Sequence, residues 1–184
     1  MESRLPSARR VAVRYASQEV YRGLVVDVGS AALASAIRKA VVRFALRESS
    51  GMSEGEVARF IIGAIKMNDI GESWSVSRRS AEKFGRGDYA LGRRPTPRGK
   101  TLGILLSGEV KDDAGYDPEA AGEEMWQMTV GEYELRLRPG TSVKVTGVDV
   151  YVPKFKKDKY TGFTNDVGRW FYLHLGGKSF KATV

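Results

Sequence analysis

Two glutamates two residues apart, Glu132 and Glu134, head the alternating run "EYELRLRPGTSVKV". In a β-strand, residues i and i+2 project to the same face, so this spacing would set two carboxylates side by side. A carboxylate pair on one face could carry acid–base chemistry. The run also has an ordinary explanation. Glu132, Glu134, Arg136 and Arg138 alternate with Tyr133, Leu135 and Leu137, the pattern of any half-buried strand with a solvated outer face. The pair alone does not decide between these.

Composition removes several alternatives. The chain has no cysteine, which excludes disulfides and thiol nucleophiles and fits a cytosolic setting. Its single histidine, His174, excludes a multi-histidine metal site and makes a Ser-His-Asp triad hard to assemble, so no metal site is expected. His174 lies in "RWFYLHLGG", where a packed or surface histidine is the simpler reading. Acid–base chemistry must then come mainly from carboxylates.

The 184 residues fit one domain, 42% hydrophobic and 28% charged, as in soluble globular proteins. No run approaches the ~18–20 apolar residues of a membrane span. The start, "MESRLPSARRVAVRYA", has no apolar core of a signal peptide and reads as a basic amphipathic helix. A cytoplasmic location is therefore expected, with delivery into a host cell by a non-Sec route as the alternative. The net charge of +8 predicts attraction to an anionic cofactor, nucleic acid or anionic surface. It is concentrated in "GRRPTPRGK" (Gly92–Lys100) and "PKFKKDKY" (Pro153–Tyr160), against the acidic "KDDAGYDPEAAGEE" (Lys111–Glu124).

The elements that would position the pair follow from periodicity. Segment 1–17 is the basic helix. The Val- and Tyr-rich stretch Glu19–Gly29 predicts a strand. Ser30 caps a helix over Ala31–Arg47, with Leu33, Ile37, Val41 and Phe44 inward. Ser53–Glu56, "SEGE", is a capping box for a second helix to about Lys66, with Val57, Phe60, Ile61 and Ile65 inward. A short strand in "GESWSV", a helix in "SRRSAEKFG" and a strand in "KTLGILLSGEV" come next. Strands "EYELRLR", "SVKVTGVDVYV" and "GRWFYLHL" follow, with a Pro139-Gly140 turn and a basic hairpin around Thr161-Gly162. Helices cluster early and strands late, which predicts an α+β domain rather than a doubly wound one. Residues 18–152 carry the motifs, and 153–184 form a C-terminal hairpin and strand.

Three motifs stand in order along this frame. "YRG" places Arg22 in the middle of the first strand, a costly site for a buried charge unless an anion meets it. "SWS" (Ser73–Ser75) precedes a helix containing Ala81 and Phe84, and "EYE" precedes "PGTSVKVTGV". In this order, from about Glu19 to Val152, the chain resembles the arginine–serine–glutamate class of mono-ADP-ribosyltransferases, which use NAD. The middle of the serine motif is Trp74, where that family more often has threonine.

The resemblance implies an ADP-ribosyltransferase fold, with N-terminal helices packed on a split antiparallel or mixed β core around a central NAD cleft. It implies that Arg22 holds NAD phosphate as a planar donor fork and that Gly23 lets the backbone approach the cofactor. Ser73 would orient Glu134, with Trp74 and Ser75 beside it on the nicotinamide side. Ser75 has a second reading, as the cap of the helix that follows. Glu134 would stabilise the ribosyl cation, and Glu132 would contact the incoming group. A glutamate rather than glutamine at that position implies an arginine acceptor. The preceding "EEMWQMTVG" would recognise the target, through Trp126 and Gln127. Trp126 has a second reading as a core tryptophan on a strand. The expected partners are NAD and a macromolecule, most simply a protein arginine, met by a monomer away from membranes. DNA or RNA as acceptor, water as acceptor, and a non-enzymatic basic module are the competing readings.

Overall fold

The computed structural model describes residues 19–67, 70–71, 73–87, 97–110, 115–116 and 134–184. The segment expected as an N-terminal helix lies outside these residues, as do Glu132, Trp126 and Gln127. Of Glu134, the backbone position is described.

Strand β1 (Glu19–Asp27) forms where the sequence predicts it. Gly29, at φ 86°, turns the chain, and Asp27 Oδ1 accepts its amide at 2.7 Å. Ser30 then caps α1 (Ala31–Ala45), its Oγ accepting from Leu33 N at 3.1 Å. The helix ends two residues earlier than expected, because Arg47 adopts a left-handed φ of 57°. The capping box of α2 (Glu54–Met67) closes in both directions. Glu56 N donates to Ser53 Oγ at 3.3 Å, and Ser53 N to Glu56 Oε2 at 2.8 Å.

Phe60 was expected inward and is 46% exposed. The buried stripe of α2 is Val57, Ala58, Ile61, Ala64 and Ile65. At 100° per residue, Phe60 falls about 100° from the centre of that stripe.

The remaining elements are β2 (Ser73–Ser75), α3 (Arg78–Gly85), β3 (Thr101–Glu109), β4 (Gly115–Tyr116) and β5 (Glu134–Leu137). They continue through β6 (Ser142–Val152), β7 (Phe155–Lys157), β8 (Thr164–Asp166), β9 (Arg169–Leu173) and β10 (Phe180–Thr183). Gly140, at φ 80°, makes the predicted turn between β5 and β6, with Thr141 N donating to Arg138 O at 3.0 Å. β4 and β10 carry too little periodicity to have been anticipated. β7 and β8 form a separate two-stranded ribbon.

The chain is α+β, and every strand pairing among the described residues is antiparallel. The main sheet runs β10–β6–β3–β1–β2–β5–β4. β9 and β10 share one edge of the long β6, pairing with its second and first halves. Helices α1 and α2 cover one face of this sheet, and α3 lies on the other. The main core sits under α1 and α2, where Val20, Val26, Leu102, Ile104, Leu106, Val148 and Val150 meet Ile37, Val41, Val57 and Ile61. No helix among the described residues is long and apolar enough to cross a membrane.

Candidate functional site

The sheet is two wings joined at one point. β1 pairs with β3 without interruption from Glu19↔Glu109 to Asp27↔Thr101. Its other edge meets β2 through a single residue pair, Tyr21↔Ser75. Beyond β2, the smaller wing continues with Ser75↔Glu134, Trp74↔Leu135 and Ser73↔Arg136. The sheet therefore splits immediately past Tyr21. Arg22 spans the split, its guanidinium donating to the carbonyl oxygen of Ser73. The crevice there is lined by Tyr21, Arg22, Gly23, Ser73, Trp74, Ser75, Ala81 and Phe84.

Register makes one polar row across the joint. Paired residues share a face, so Glu134, Ser75, Tyr21, Ser107 and Gly147 form a rung across β5, β2, β1, β3 and β6. The rung ends at an irregularity, a shift of the β3–β6 register between Ser107 and Gly108. Such breaks in a ladder re-aim side chains and are frequent beside sites. Tyr21 donates its hydroxyl to Glu19 Oε2 at 2.8 Å. Burial, and then the Glu19 carboxylate, raise the Tyr21 phenol above its ordinary pKa.

Helix α3 closes this side of the sheet. Ser77 is its cap, with Oγ accepting from Ser80 N at 3.3 Å. Ser75, which had a reading as that cap, instead accepts the amide of Ser77 at 3.0 Å. A Cβ on Gly23 would overlap the carbonyl oxygen of Ala81 and lie 2.5 Å from the Gly85 amide. What approaches the backbone closely at Gly23 is thus helix α3. Gly85 in turn lies against Trp170, where a Cβ would stand 2.6 Å from the indole edge.

Two charged residues absent from the expected set anchor the helix. Arg78 reaches from the first turn of α3 to Asp149 Oδ1 at 3.1 Å and to Glu82 Oε1 at 3.0 Å. Asp149 is 4% exposed, and its Oδ2 has no hydrogen-bond partner among the described residues. Burial raises its carboxyl pKa, and the Arg78 guanidinium pulls partly the other way. The signal was visible in "GVDVYV", where one acid interrupts an apolar strand. It has no counterpart in the three motifs, so motif order passed over it.

The expected residues thus divide. Arg22, Gly23, Ser73, Ser75 and the backbone of Glu134 come together at the joint of the two wings. Trp74 borders the crevice but is 2% exposed and belongs to the main core. Alternation explains this: the middle of Ser-Trp-Ser must face opposite to its two serines. By the same parity Arg22 lies on Trp74's side of the sheet and reaches the serines only across the split. His174 is exposed, edge-on to Tyr172 at 4.8 Å between ring centroids.

The chemistry available at the joint is a guanidinium, serine hydroxyls, a phenol and a carboxylate-bearing strand. Such groups can hold an anion and donate hydrogen bonds to it. The crevice holds only about 20 Å³, room for about one water molecule. A crevice of this size does not enclose a dinucleotide. Larger hollows lie elsewhere: about 590 Å³ between the start of α2 and the β9–β10 loop, and about 540 Å³ beside Asp27 and Phe60. Size alone would favour those. Those hollows also hold ionisable groups, Arg59, His174 and Lys178 in the first and Asp27, Arg59 and Lys100 in the second, whereas the joint sets a guanidinium, serine hydroxyls and a phenol around one crevice. No family model matches the chain, nor does a curated protein or a solved structure.

Proposed function

We propose that this chain is an NAD-dependent mono-ADP-ribosyltransferase with the corresponding fold. It would cleave the nicotinamide–ribose bond and transfer ADP-ribose to a macromolecule, most simply to a protein arginine. The observation that carries the reading is the alignment Tyr21–Ser75–Glu134 across a split sheet, with Arg22 bridging the split. Three short motifs spread over more than a hundred residues of sequence meet at one joint. An accidental likeness in motif order gives no reason for that.

Each group has a role that its chemistry fits. Arg22 would exchange its bond to the Ser73 carbonyl for phosphate oxygens, which a guanidinium binds as a fork. Ser75, held by the Ser77 amide, and Ser73 would donate toward the Glu134 carboxylate and fix its orientation. Glu134 would hold the ribose hydroxyl beside the reacting carbon and stabilise positive charge there. Removing one such preorganised group costs ~10²–10³-fold in rate. Glu132, two residues earlier on the same strand pattern, would orient the acceptor guanidinium. That group keeps its proton at neutral pH, so positioning must supply much of the effect. Trp126 and Gln127 remain the proposed contacts to the target.

The test is transfer of label from NAD carrying it in the adenylate half to macromolecules of a cell lysate. Wild type should label a protease-sensitive species, and Glu134→Gln should label it at least ~100-fold more slowly. Nuclease-sensitive label would move the acceptor to nucleic acid. Label transferred equally by both proteins would refute the assignment of Glu134.

A further inference from the structure

The β7–β8 ribbon stands apart from the main sheet among the described residues. All six of its strand residues are exposed. Phe155, Tyr160 and Phe163 are 44%, 98% and 72% exposed. These rings are set among five cations, Lys154, Lys156, Lys157, Lys159 and Arg169, against two carboxylates, Asp158 and Asp166.

Both carboxylates are turned onto the ribbon's own backbone. Asp158 Oδ1 accepts the amides of Tyr160 and Thr161 at 2.8 Å each. Asp166 Oδ1 accepts those of Lys154 and Gly168 at 3.1 and 2.9 Å. They define the turn and base of the ribbon while the lysines face solvent. The turn is further held by Asp158 N to Phe163 O at 2.8 Å and by Gly162 at φ 71°. Exposed rings on a shaped turn lose little conformational freedom when a partner stacks on them.

The structure also joins two basic segments that are far apart in sequence. The Arg98 guanidinium sits 4.8 Å over the Phe155 ring, a cation–π distance. This ties the end of the Pro-rich basic loop to the base of the ribbon. Register assigns Phe155 and Lys157 to one face and Lys156 and Phe163 to the other, with Tyr160 at the tip. The outer surface therefore presents aromatic rings alternating with ammonium groups.

We propose that this ribbon, with Arg98 at its base, is a docking surface for single-stranded nucleic acid. Lysines meet successive phosphates, and Tyr160 and Phe163 stack on unpaired bases. A duplex keeps its bases stacked on one another and would leave the rings without partners. The inference does not rest on the NAD chemistry, because an oligonucleotide binds or fails to bind whether or not NAD is consumed.

The test is fluorescence anisotropy of a labelled oligothymidylate and an oligouridylate of about 12 nucleotides, titrated with the full chain over a range of salt. Wild type should bind both in preference to a duplex of equal length. Tyr160→Ala/Phe163→Ala should weaken binding about tenfold or more without changing the salt slope. Lys156→Ala/Lys157→Ala/Lys159→Ala should flatten the log–log salt slope by up to ~2, at ~0.7 per single-strand phosphate. All these positions are exposed, so unchanged thermal midpoints should accompany the losses. Failure of wild type to bind at low salt would overturn the proposal. So would equal binding of duplex with no effect of the aromatic changes, or binding to anionic phospholipid vesicles with none to the oligonucleotides.

Discussion

The two faces of the central sheet are made from alternate residues of the same strands, yet they do different things. Toward α1 and α2, β1 sends Val20, Leu24 and Val26, β3 sends Leu102, Ile104 and Leu106, and β6 sends Val148 and Val150. Toward α3, the same strands send Tyr21 and Gly23, Gly103 and Ser107, and Gly147 and Asp149. One face is an apolar layer, with Arg22 on its side at the split. The other has glycines where a helix backbone must come close, and hydroxyls and acids where it does not. Leu105, Tyr151 and Ala81 are buried on this second side as a small separate seat for α3. Most of the apolar packing and most of the polar groups thereby lie on opposite sides of one sheet, and Arg22 crosses between them at the split. A one-residue slip of any strand would exchange them.

Breaking the apolar face should have the largest effect on folding. Trp74→Ala empties the site of a tryptophan buried to 2% exposure and should cost about 3–5 kcal/mol in denaturant unfolding. Gly23→Ala attacks the other face, by forcing a methyl group into the backbone of α3. It should cost about 3 kcal/mol, at the upper end for overpacking, because backbone cannot yield as a side chain can. Gly63→Ala sharpens that contrast. Its Cβ would meet nothing within 4 Å inside helix α2, so the same substitution should stabilise by up to ~1 kcal/mol.

Arg78→Met tests the anchor of α3 and should cost about 1–2 kcal/mol at neutral pH by leaving Asp149 without its charged donor. Burial raises the native pKa of Asp149 above the ordinary value of 3.8. The native state then holds that proton more tightly than the unfolded chain does. The associated stability is present below the unfolded pKa and is lost as pH rises through the native pKa. Removing Arg78 takes away what pulls the native pKa down, so this loss should deepen and extend to higher pH. Urea midpoints of Arg78→Met should fall more than those of wild type as pH rises above the ordinary 3.8 of an aspartate. Adding Asp149→Asn should abolish the difference. The smallest effect is expected at Phe60, on neither face: Phe60→Ser should change stability by no more than about 0.5 kcal/mol.

The sequence displayed the apolar face well and the polar face only in fragments. Ser30, the Ser53–Glu56 box and the Pro139-Gly140 turn act through neighbours within a few residues, so local pattern exposes them. Phe60 was misplaced because a residue at the border of a helical stripe is assigned by packing rather than by spacing. The α+β class followed from the order of elements. The two-wing sheet did not, since a single Tyr21–Ser75 pair joining the wings is a long-range fact. Motif order anticipated that Arg22, Ser73, Ser75 and Glu134 would converge. It could not show that α3 rather than a ligand fills the space at Gly23, or that Arg78 finds Asp149 some seventy residues away.

The proposed cleavage of NAD at the polar rung of the joint can be followed directly. The most direct measurement is release of nicotinamide from NAD, followed by chromatography with a cell lysate present, for wild type, Glu134→Gln, Ser75→Ala and Phe60→Ser. The account predicts release by wild type and Phe60→Ser alike, a ~10²–10³-fold loss in Glu134→Gln and a smaller loss in Ser75→Ala. No release by wild type, or release by Glu134→Gln at the wild-type rate, would contradict it.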